Sequence, residues 1–577
     1  MFFKNLSGNK THTMTLGERK GLKFGILCDT LHLQQWQTLV IEQLILEGNA
    51  LALIILNKED SPPKSKGIRR LLCYPIKNFI FLFYYRFLLK PKSKRMLSIE
   101  PWIKEAILLE ENAKKVKKSY YFSEKTIEAI KSSEVQFLLR FGFGIIKGDI
   151  LHAAPYGVWS FHHDDPEVIR GVPSNFWEIL EDIPVNGAIL QQLDESIDCG
   201  KILWQGWFPT INHSWKANLD QAYYGSVEWP AQTCREILFK GADCLKNKPF
   251  PKPAPMRFAP INCIMLKFFL KLWANKVKFH FNELFRAEHW SIGFIESSIK
   301  NFIGNNSRPE NIKWIRSGSR RQYYADPAGI YQNHQLKILC EHYDYKPAHG
   351  EICLFKTNHH STIYRPEKVL LNASWHLAFP FIFEAEGNIW CLPESAQSNQ
   401  LRLYRWDTKK EELMFEKIII SDLQAVDPII FHHNRKWWLM FTDKTKSNYS
   451  LHLWYAEDFR GPYFPHINNP VKTDIRSSRP AGNIFYMDGR LMRPAQDCSV
   501  ISGHRITLNE IIEITPFSFV ETTRFFVEPP KSRQHFKGMH TLNTAGPYVI
   551  FDVKQDLFIW DNFKRRLLRK TKKIIVQ

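Results

Sequence analysis

Apolar and polar positions change rhythm twice along this chain. Residues 22–28 form a short apolar run, 34–46 carry a helical pattern, and 50–56 form a second apolar run. Strand, helix and strand at this spacing predict a parallel α/β sheet. A further strand is expected over 135–140, running into Phe141-Gly142-Phe143-Gly144-Ile145. A helix with Pro in its first turn is expected over 173–180, and a returning strand over 184–193. The Pro-rich stretch 246–255 marks a boundary.

Past this boundary, 263–285 mixes Leu266, Phe268, Phe269, Leu272, Trp273 and Val277 with Lys267, Lys271, Lys276 and Lys278, and reads as a basic amphipathic connector helix. The rhythm then shortens to β runs separated by turns. Ala325-Asp326-Pro327, Ala378-Phe379-Pro380, Val426-Asp427-Pro428 and Ser478-Arg479-Pro480 each open an apolar strand, their prolines 53, 48 and 52 residues apart. A fifth, degenerate unit starts near Gly538-Met539-His540. Periods near 50 with about four strands each predict a propeller. The expected fold is a Rossmann-like α/β N-terminal domain followed by an all-β five-bladed propeller. The expected segments are a flexible tail (1–20), the α/β domain (21–250), a linker with the connector helix (251–300), the propeller (301–555) and a basic tail (556–577).

The 577 residues carry a net charge of +20, which draws the chain towards polyanions. An anionic membrane surface is an expected contact, nucleic acid is not, and nothing in the sequence sets an oligomeric state. The apolar segment 79–85, flanked by Lys77, Arg86, Lys90, Lys92, Lys94 and Arg95, is too short to span a bilayer. It reads as a core helix, with a membrane surface as the alternative. Ten cysteines without Cys-x-x-Cys, and an N-terminus without an apolar run and cleavage site, point to reduced thiols and a cytoplasmic protein, with the inner membrane face as a peripheral location.

The stretch richest in chemistry is Gly157-Val158-Trp159-Ser160-Phe161-His162-His163, followed by Arg170-Gly171 and by Asp194-Glu195-Ser196-Ile197-Asp198-Cys199-Gly200. An imidazole near neutral pKa can give and take a proton, and a later Asp can orient the ring. The two glycines after 135–140 let backbone approach a flat ligand. No Gly-x-Gly-x-x-Gly follows the first strand, so dinucleotide binding is disfavoured. His162-His163-Asp164-Asp165 forms no metal site, because neighbours on a strand point to opposite faces.

This order and spacing, over roughly 22–245, resembles the folate-dependent formyltransferases, whose pattern reads Asn-x-His, Arg-Gly and Leu-Asp-x-Gly. The resemblance implies His162, Asp198 and Ser160 as catalytic residues, Ser160 standing where the family has Asn. It also implies that Arg140, Phe141, Gly142, Phe143, Gly144 and Ile145 line a pterin pocket, with formyl-tetrahydrofolate as co-substrate. Losing one fixed oxyanion donor costs about 10²–10³ in rate, part of which a Ser hydroxyl recovers.

The C-terminal half resembles the propellers of arabinanases, β-xylosidases and β-fructosidases. It resembles more closely the N-terminal region of the plant glucosamine inositolphosphorylceramide transferases, through His376-Leu377-Ala378-Phe379-Pro380-Phe381, Leu392-Pro393-Glu394-Ser395, 472–482 and 493–498. First strands of propeller blades line the channel, so Asp326, His376, Asp427, Arg479 and His540 are expected to converge on its end, with Arg493, Gln496 and Asp497 nearby, as substrate-binding residues. By position Asp326 and Asp427 match the base and pKa tuner of the glycosidases, and Glu394 and Glu510 compete for the acid. The expected function is formyl transfer to an amine, an amino sugar of a glycoconjugate, with the propeller binding the glycan. The alternative is a carbohydrate-binding or glycosidase-like propeller with an inactive α/β domain.

Overall fold

The structure, a computed structural model, describes residues 21–58, 76–196, 200–304, 311–357, 366–531 and 536–559. The tail 1–20, the segment 197–199 with Asp198, and 560–577 of the basic tail lie outside these residues. The chain divides into two compact units between Lys278 and Phe279.

The first unit is built on a seven-stranded sheet. Its strands are β1 (Lys23–Cys28), β2 (Ala50–Asn57), β3 (Ile107–Glu111), β4 (Phe137–Arg140), β5 (Val158–His162), β6 (Val185–Gln192) and β7 (Lys201–Pro209), in the order β7-β6-β5-β4-β1-β2-β3. The pairs from β5 to β3 are parallel, and β6 and β7 form an antiparallel edge. Helix α1 (Gln35–Leu46) joins β1 to β2, and Gln37 Oε1 accepts from the Gln34 amide at 2.8 Å to fix its start. Chain order runs one way from β1 to β3 and the other way from β4 to β5. The carboxyl ends of β1 and β4 therefore open a crevice, the place where open α/β sheets bind ligands.

Two elements differ from expectation. The helix expected over 173–180 covers only Trp177–Leu180. Asn175 is left-handed (φ 58), and its amide side chain donates to His163 O and to Asn186 Oδ1. Backbone and side chain here brace the loop beyond β5 instead of extending a helix. The 79–85 segment is not a core helix either. Helix α2 (Phe79–Phe83) and the turn after it bury only Phe81, while Phe79, Phe83, Phe87 and Leu88 are exposed, the Phe83 ring lying between those of Phe79 and Phe87. Asn78 anchors this segment by donating to Ala259 O and Pro260 O, just ahead of helix α3 (Asn262–Phe285). Only Met265 and Phe268 of α3 are buried, Phe268 stacking on Phe176. Among the described residues no helix is long and apolar enough to cross a membrane.

The second unit is mainly β, with a short helix at Ile299–Gly304. Four antiparallel sheets follow one another along the chain, starting with Gln322–Gln332, Ala378–Ala385, Ala425–His433 and Phe485–Met487. In a fifth sheet Leu542–Ala545 and Tyr548–Phe558 pair with Arg286–Glu296 and Lys313–Ile315. Arg286–Glu296, expected in the linker, thus belongs to this unit and pairs along its whole length with Tyr548–Phe558. The sheets pack through apolar layers such as Leu403, Ile429, Leu439 and Leu453.

The repeated x-Pro motif has a structural meaning. In the first three sheets the strand register slips there, between Ala325 and Ala328, Ala378 and Phe381, and Val426 and Ile429. Asp326, Phe379 and Asp427 adopt left-handed φ values of 51°, 44° and 47°. Proline cannot donate to a ladder, and a bulge accommodates it while re-aiming the residue before it.

Candidate functional site

The crevice of the first unit holds a pocket of about 350 Å³ lined by Arg140, Phe141, Gly142, Gly144, Ser160 and His162, among others. Phe143 and Ile145 do not line it. Phe143 is buried against Tyr120 and Phe122, and its amide donates to Asp29 Oδ1. A side chain at Gly142 would meet the Asp29 amide at 2.6 Å, so only glycine allows this close pass of β1 and β4.

Ser160 Oγ accepts twice from Arg140, from Nε at 3.1 Å and Nη2 at 2.8 Å, and Nη1 of Arg140 also donates to Gly144 O. One guanidinium thus ties β4, β5 and the glycine turn together. With its lone pairs engaged, the Ser160 hydroxyl keeps its proton for an acceptor in the pocket.

His162 Nε2 lies 3.8 Å from Asp164 Oδ2. Asp164 is buried and its other oxygen accepts from the Asn175 amide. Burial, then the Glu178 carboxyl, pushes Asp164 well above the usual carboxylate range, and burial pushes Glu178 up to about 7. The strand ends at His162 and the chain bends at Asp164, which sets its carboxyl beside the imidazole. His163 has a different role. It is buried among Trp36, Phe161 and Tyr223 and bonds Ser226 Oγ, and burial holds its pKa well below the ordinary value.

The second unit holds a cavity of about 620 Å³. Asp326, His376, Asp427, Arg479 and His540 all line it, together with Glu341, Glu394, Trp290, Tyr323 and Tyr343. Arg479 clasps Asp427 with Nε and Nη2 and donates from Nη1 to Asn448. Gln496, expected to bind substrate, is fully buried and does not line the cavity; it supports this pair from behind, its amide donating to Asp427 Oδ2 at 2.6 Å and to Pro480 O. The His540 ring stacks on Trp290 between two acids, Nδ1 to Asp552 Oδ2 at 2.7 Å and Nε2 to Asp326 Oδ1 at 3.2 Å. Burial opposes its charge, but Asp552 and Asp326 outweigh it and raise its pKa. These three side chains are near enough to share a cation. Both ring nitrogens, however, face carboxylate oxygens, an arrangement that suits an imidazolium.

Burial and crowding set the remaining acids. Burial raises Asp326 to about 6, and burial with Asp427 raises Glu394 to about 8. Glu341 is pushed well above the carboxylate range by burial and by Asp326 and Glu394. His376, 3.5 Å from Glu341, is lowered to about 4 by burial and by His349 and Lys444.

Arg493 and Asp497 do not line the cavity. Arg493 is wholly buried on Glu521 and Ser477 O, and Asp497 is paired with Arg505 at 2.9 Å. Both are strand residues spent on fixing their own sheet. Glu510 accepts from Arg524 at 2.6 Å and lies outside the lining too, which leaves Glu394 as the cavity's candidate acid. Glu341 was legible only through the repeat. Ala325 pairs with Glu341 and Ala378 with Glu394, at the same offset from the two Ala-x-Pro motifs.

Residues 312–546, within the second unit, match a family described as "Glucosamine inositolphosphorylceramide transferase 1, N-terminal". Glucosamine inositolphosphorylceramide transferase 1 of Arabidopsis thaliana is 33% identical over 249 residues, 42% of this chain and 32% of that protein. The protein of the same name in Oryza sativa subsp. japonica is 29% identical over 230 residues, 38% of this chain and 31% of that protein. The chain thus spans about a third of the length of these relatives. Among solved structures, glycinamide ribonucleotide transformylase 1 from Symbiobacterium toebii is 12% identical and covers 38% of this chain and 88% of its own, with a TM-score of 0.26. The GH62 alpha-L-arabinofuranosidase catalytic domain of Coprinopsis cinerea is 11% identical and covers 42% of this chain and 94% of its own, with a TM-score of 0.32. At such values neither structure bears on activity.

Proposed function

We propose that this chain transfers a formyl group from formyl-tetrahydrofolate to the amine of an amino sugar in a glycoconjugate, and that the cavity of the second unit holds the glycan. We read the five sheets of that unit as the blades of a propeller and the cavity as the end of its channel. The observation that carries the transfer is the grouping of His162, Ser160 and Arg140 in the crevice where the sheet order reverses.

The residues present fit a folate co-substrate. A glycine stands where backbone must pass closely, a guanidinium lines the pocket, and the buried Asp164 Oδ2 faces the imidazole without a hydrogen bond of its own. The co-substrate supplies an activated formyl carbon. The chain's part is to place the acceptor nitrogen against that carbon, to offer the Ser160 hydroxyl to the developing oxyanion, and to accept the proton that the amine loses at the His162 ring nitrogen that does not face Asp164. Asp164 stands behind His162 and faces Nε2 at 3.8 Å, which orients the ring.

The match of 312–546 and the relatives' name support a glycoconjugate as the substrate class. One observation favours a second reading, in which the second unit carries glycosidase-like chemistry itself. Glu394, a proton-holding acid, accepts from the amide of Asp427, which is clasped by Arg479. We place the protein in the cytoplasm at an anionic membrane face, for which the exposed aromatic and aliphatic stripes of α2 and α3 with their lysines speak.

The test is mass spectrometry of amino-sugar acceptors incubated with formyl-tetrahydrofolate and the full chain. A formyl adduct that falls by about 10²–10⁴ in rate in His162→Asn supports the reading. Absence of any adduct, together with cleavage of a glycoside that Glu394→Gln abolishes, would establish the second reading in its place.

A further inference from the structure

We propose that the cavity of the second unit selects sugars by a free amine, binding the ammonium group between Glu341 and Glu394. The inference rests on the reading of this cavity as a glycan site.

The argument starts from charge pairing. Each cation in the cavity's interior is already engaged: Arg479 by Asp427 and Asn448, and His540 by Asp326 and Asp552. Two carboxyls remain. Glu341 is 5% exposed, lines the cavity and receives no hydrogen bond among the described residues, with His376 Nε2 at 3.5 Å. Glu394 accepts a long bond, 3.3 Å, from the Asp427 amide, and its carboxyl lies against that of Asp427, which Arg479 already claims. A buried carboxyl left this way costs stability unless a donor arrives. The missing partner must bring positive charge and several N–H donors to one point, which an ammonium does and a hydroxyl or amide does not.

The rest of the lining suits the sugar that carries the amine. Tyr323 and Tyr343 stack at 5.0 Å and present apolar surface beside the acids. Aromatic faces accept sugar C–H edges and attract a nearby cation. The volume of about 620 Å³ is that of a small-ligand site.

Selection by charge also separates substrate from product. Formylation converts the ammonium to a neutral formamide, which withdraws the partner of both carboxyls and loosens the cavity's hold. Binding has a proton signature as well. Burial raises both carboxyls, Glu394 to about 8, and an arriving ammonium favours their ionised forms, so binding releases protons.

The experiment is calorimetric titration of the full chain with methyl glucosaminide, its N-formyl and N-acetyl forms, and methyl glucoside, each in two buffers of different ionisation enthalpy. The expected result is at least about tenfold tighter binding of the free amine, equivalent to about 1.4 kcal/mol, with proton release for that ligand alone. Glu341→Gln and Glu394→Gln should each remove most of that preference. The buffer comparison on the unaltered chain gives a readout that needs no variant to fold. Equal affinity for all four sugars would overturn amine selection and leave the glycan site standing. Binding of none of them would overturn both.

Discussion

Arg479 lays its guanidinium along the Asp427 carboxylate, Nε on Oδ2 at 2.6 Å and Nη2 on Oδ1 at 3.3 Å, with Asp427 almost fully buried. The two residues precede the prolines of successive repeats, so the bulge that carries Asp427 out of its ladder also carries it to its partner. Removing one member strands the other in a low-dielectric site. Arg479→Met should lower the stability of the second unit by about 3–5 kcal/mol, and the double variant with Asp427→Asn should recover part of it. Thermal unfolding checks both. An unchanged midpoint in Arg479→Met would remove the pair from the unit's stability.

Arg493 tests the division between support and recognition. It and Lys472 hold Glu521, and although burial works against the charge, the two cations draw Glu521 down to about 2. A depressed carboxyl contributes stability that is present above its unfolded value, near 4.5, and is lost as pH falls towards 2. Glu521→Gln should therefore destabilise the protein at neutral pH and shrink its acid-induced loss of stability. Arg493→Met should cost about 3–5 kcal/mol while leaving sugar affinity within about twofold, because its side chain reaches no cavity atom. A selective loss of sugar binding with full stability would return Arg493 to the site.

Glu394 gives the opposite pH sign. Its pKa rises from 4.5 to about 8, so between these values the folded state holds a proton that the unfolded state has released. Stability then falls as pH rises through this window, by up to about 1.4 kcal/mol per pH unit. Asp326, raised to about 6, adds the same sign over the window from 3.8. Glu394→Gln should make the decline above pH 6 less steep, leaving the share of the other raised carboxyls, Glu341, Asp164 and Glu178. Denaturant unfolding from pH 5 to pH 8 measures it, and parallel curves for the variant and the unaltered chain would count against a buried, protonated Glu394.

Much of the α/β sheet was readable because β1 and β2 are buried on both faces, and such strands leave unbroken apolar runs in a sequence. The β repeat was readable because each bulge needs a proline-tolerant position, and its prolines recur. What escaped depends on three-dimensional register. Glu341 stands between Cys340 and His342 with no motif of its own, and only its pairing opposite Ala325 aims it at the cavity. Asp164 reads as a strand neighbour of His162, but the strand ends at His162 and the Asn175 backbone amide holds the Asp164 carboxyl. The 79–85 segment misled for a simpler reason. Five apolar residues in a row signal burial, but the helical turn sets Phe79 and Phe83 on one side, and that side faces outwards.

The same outward faces support the last prediction. Along α3, Leu266, Leu270, Trp273 and Val277 recur at helical spacing on the exposed side, with Leu270 71% and Trp273 68% accessible. Lys267, Lys276 and Lys278 flank them, and Lys77, Arg86 and Lys90 flank the exposed aromatics of α2. An apolar stripe bordered by lysines lies in the plane of a bilayer interface, held by apolar burial and by anionic headgroups together. The full chain should co-sediment with phosphatidylserine-containing vesicles, bind neutral phosphatidylcholine vesicles more weakly, and dissociate as salt rises. Leu270→Ser with Trp273→Ser should reduce vesicle binding by about tenfold or more without lowering stability, since neither side chain is packed. A change in oligomeric state in that double variant, with vesicle binding intact, would show instead that the stripe joins two copies of the chain.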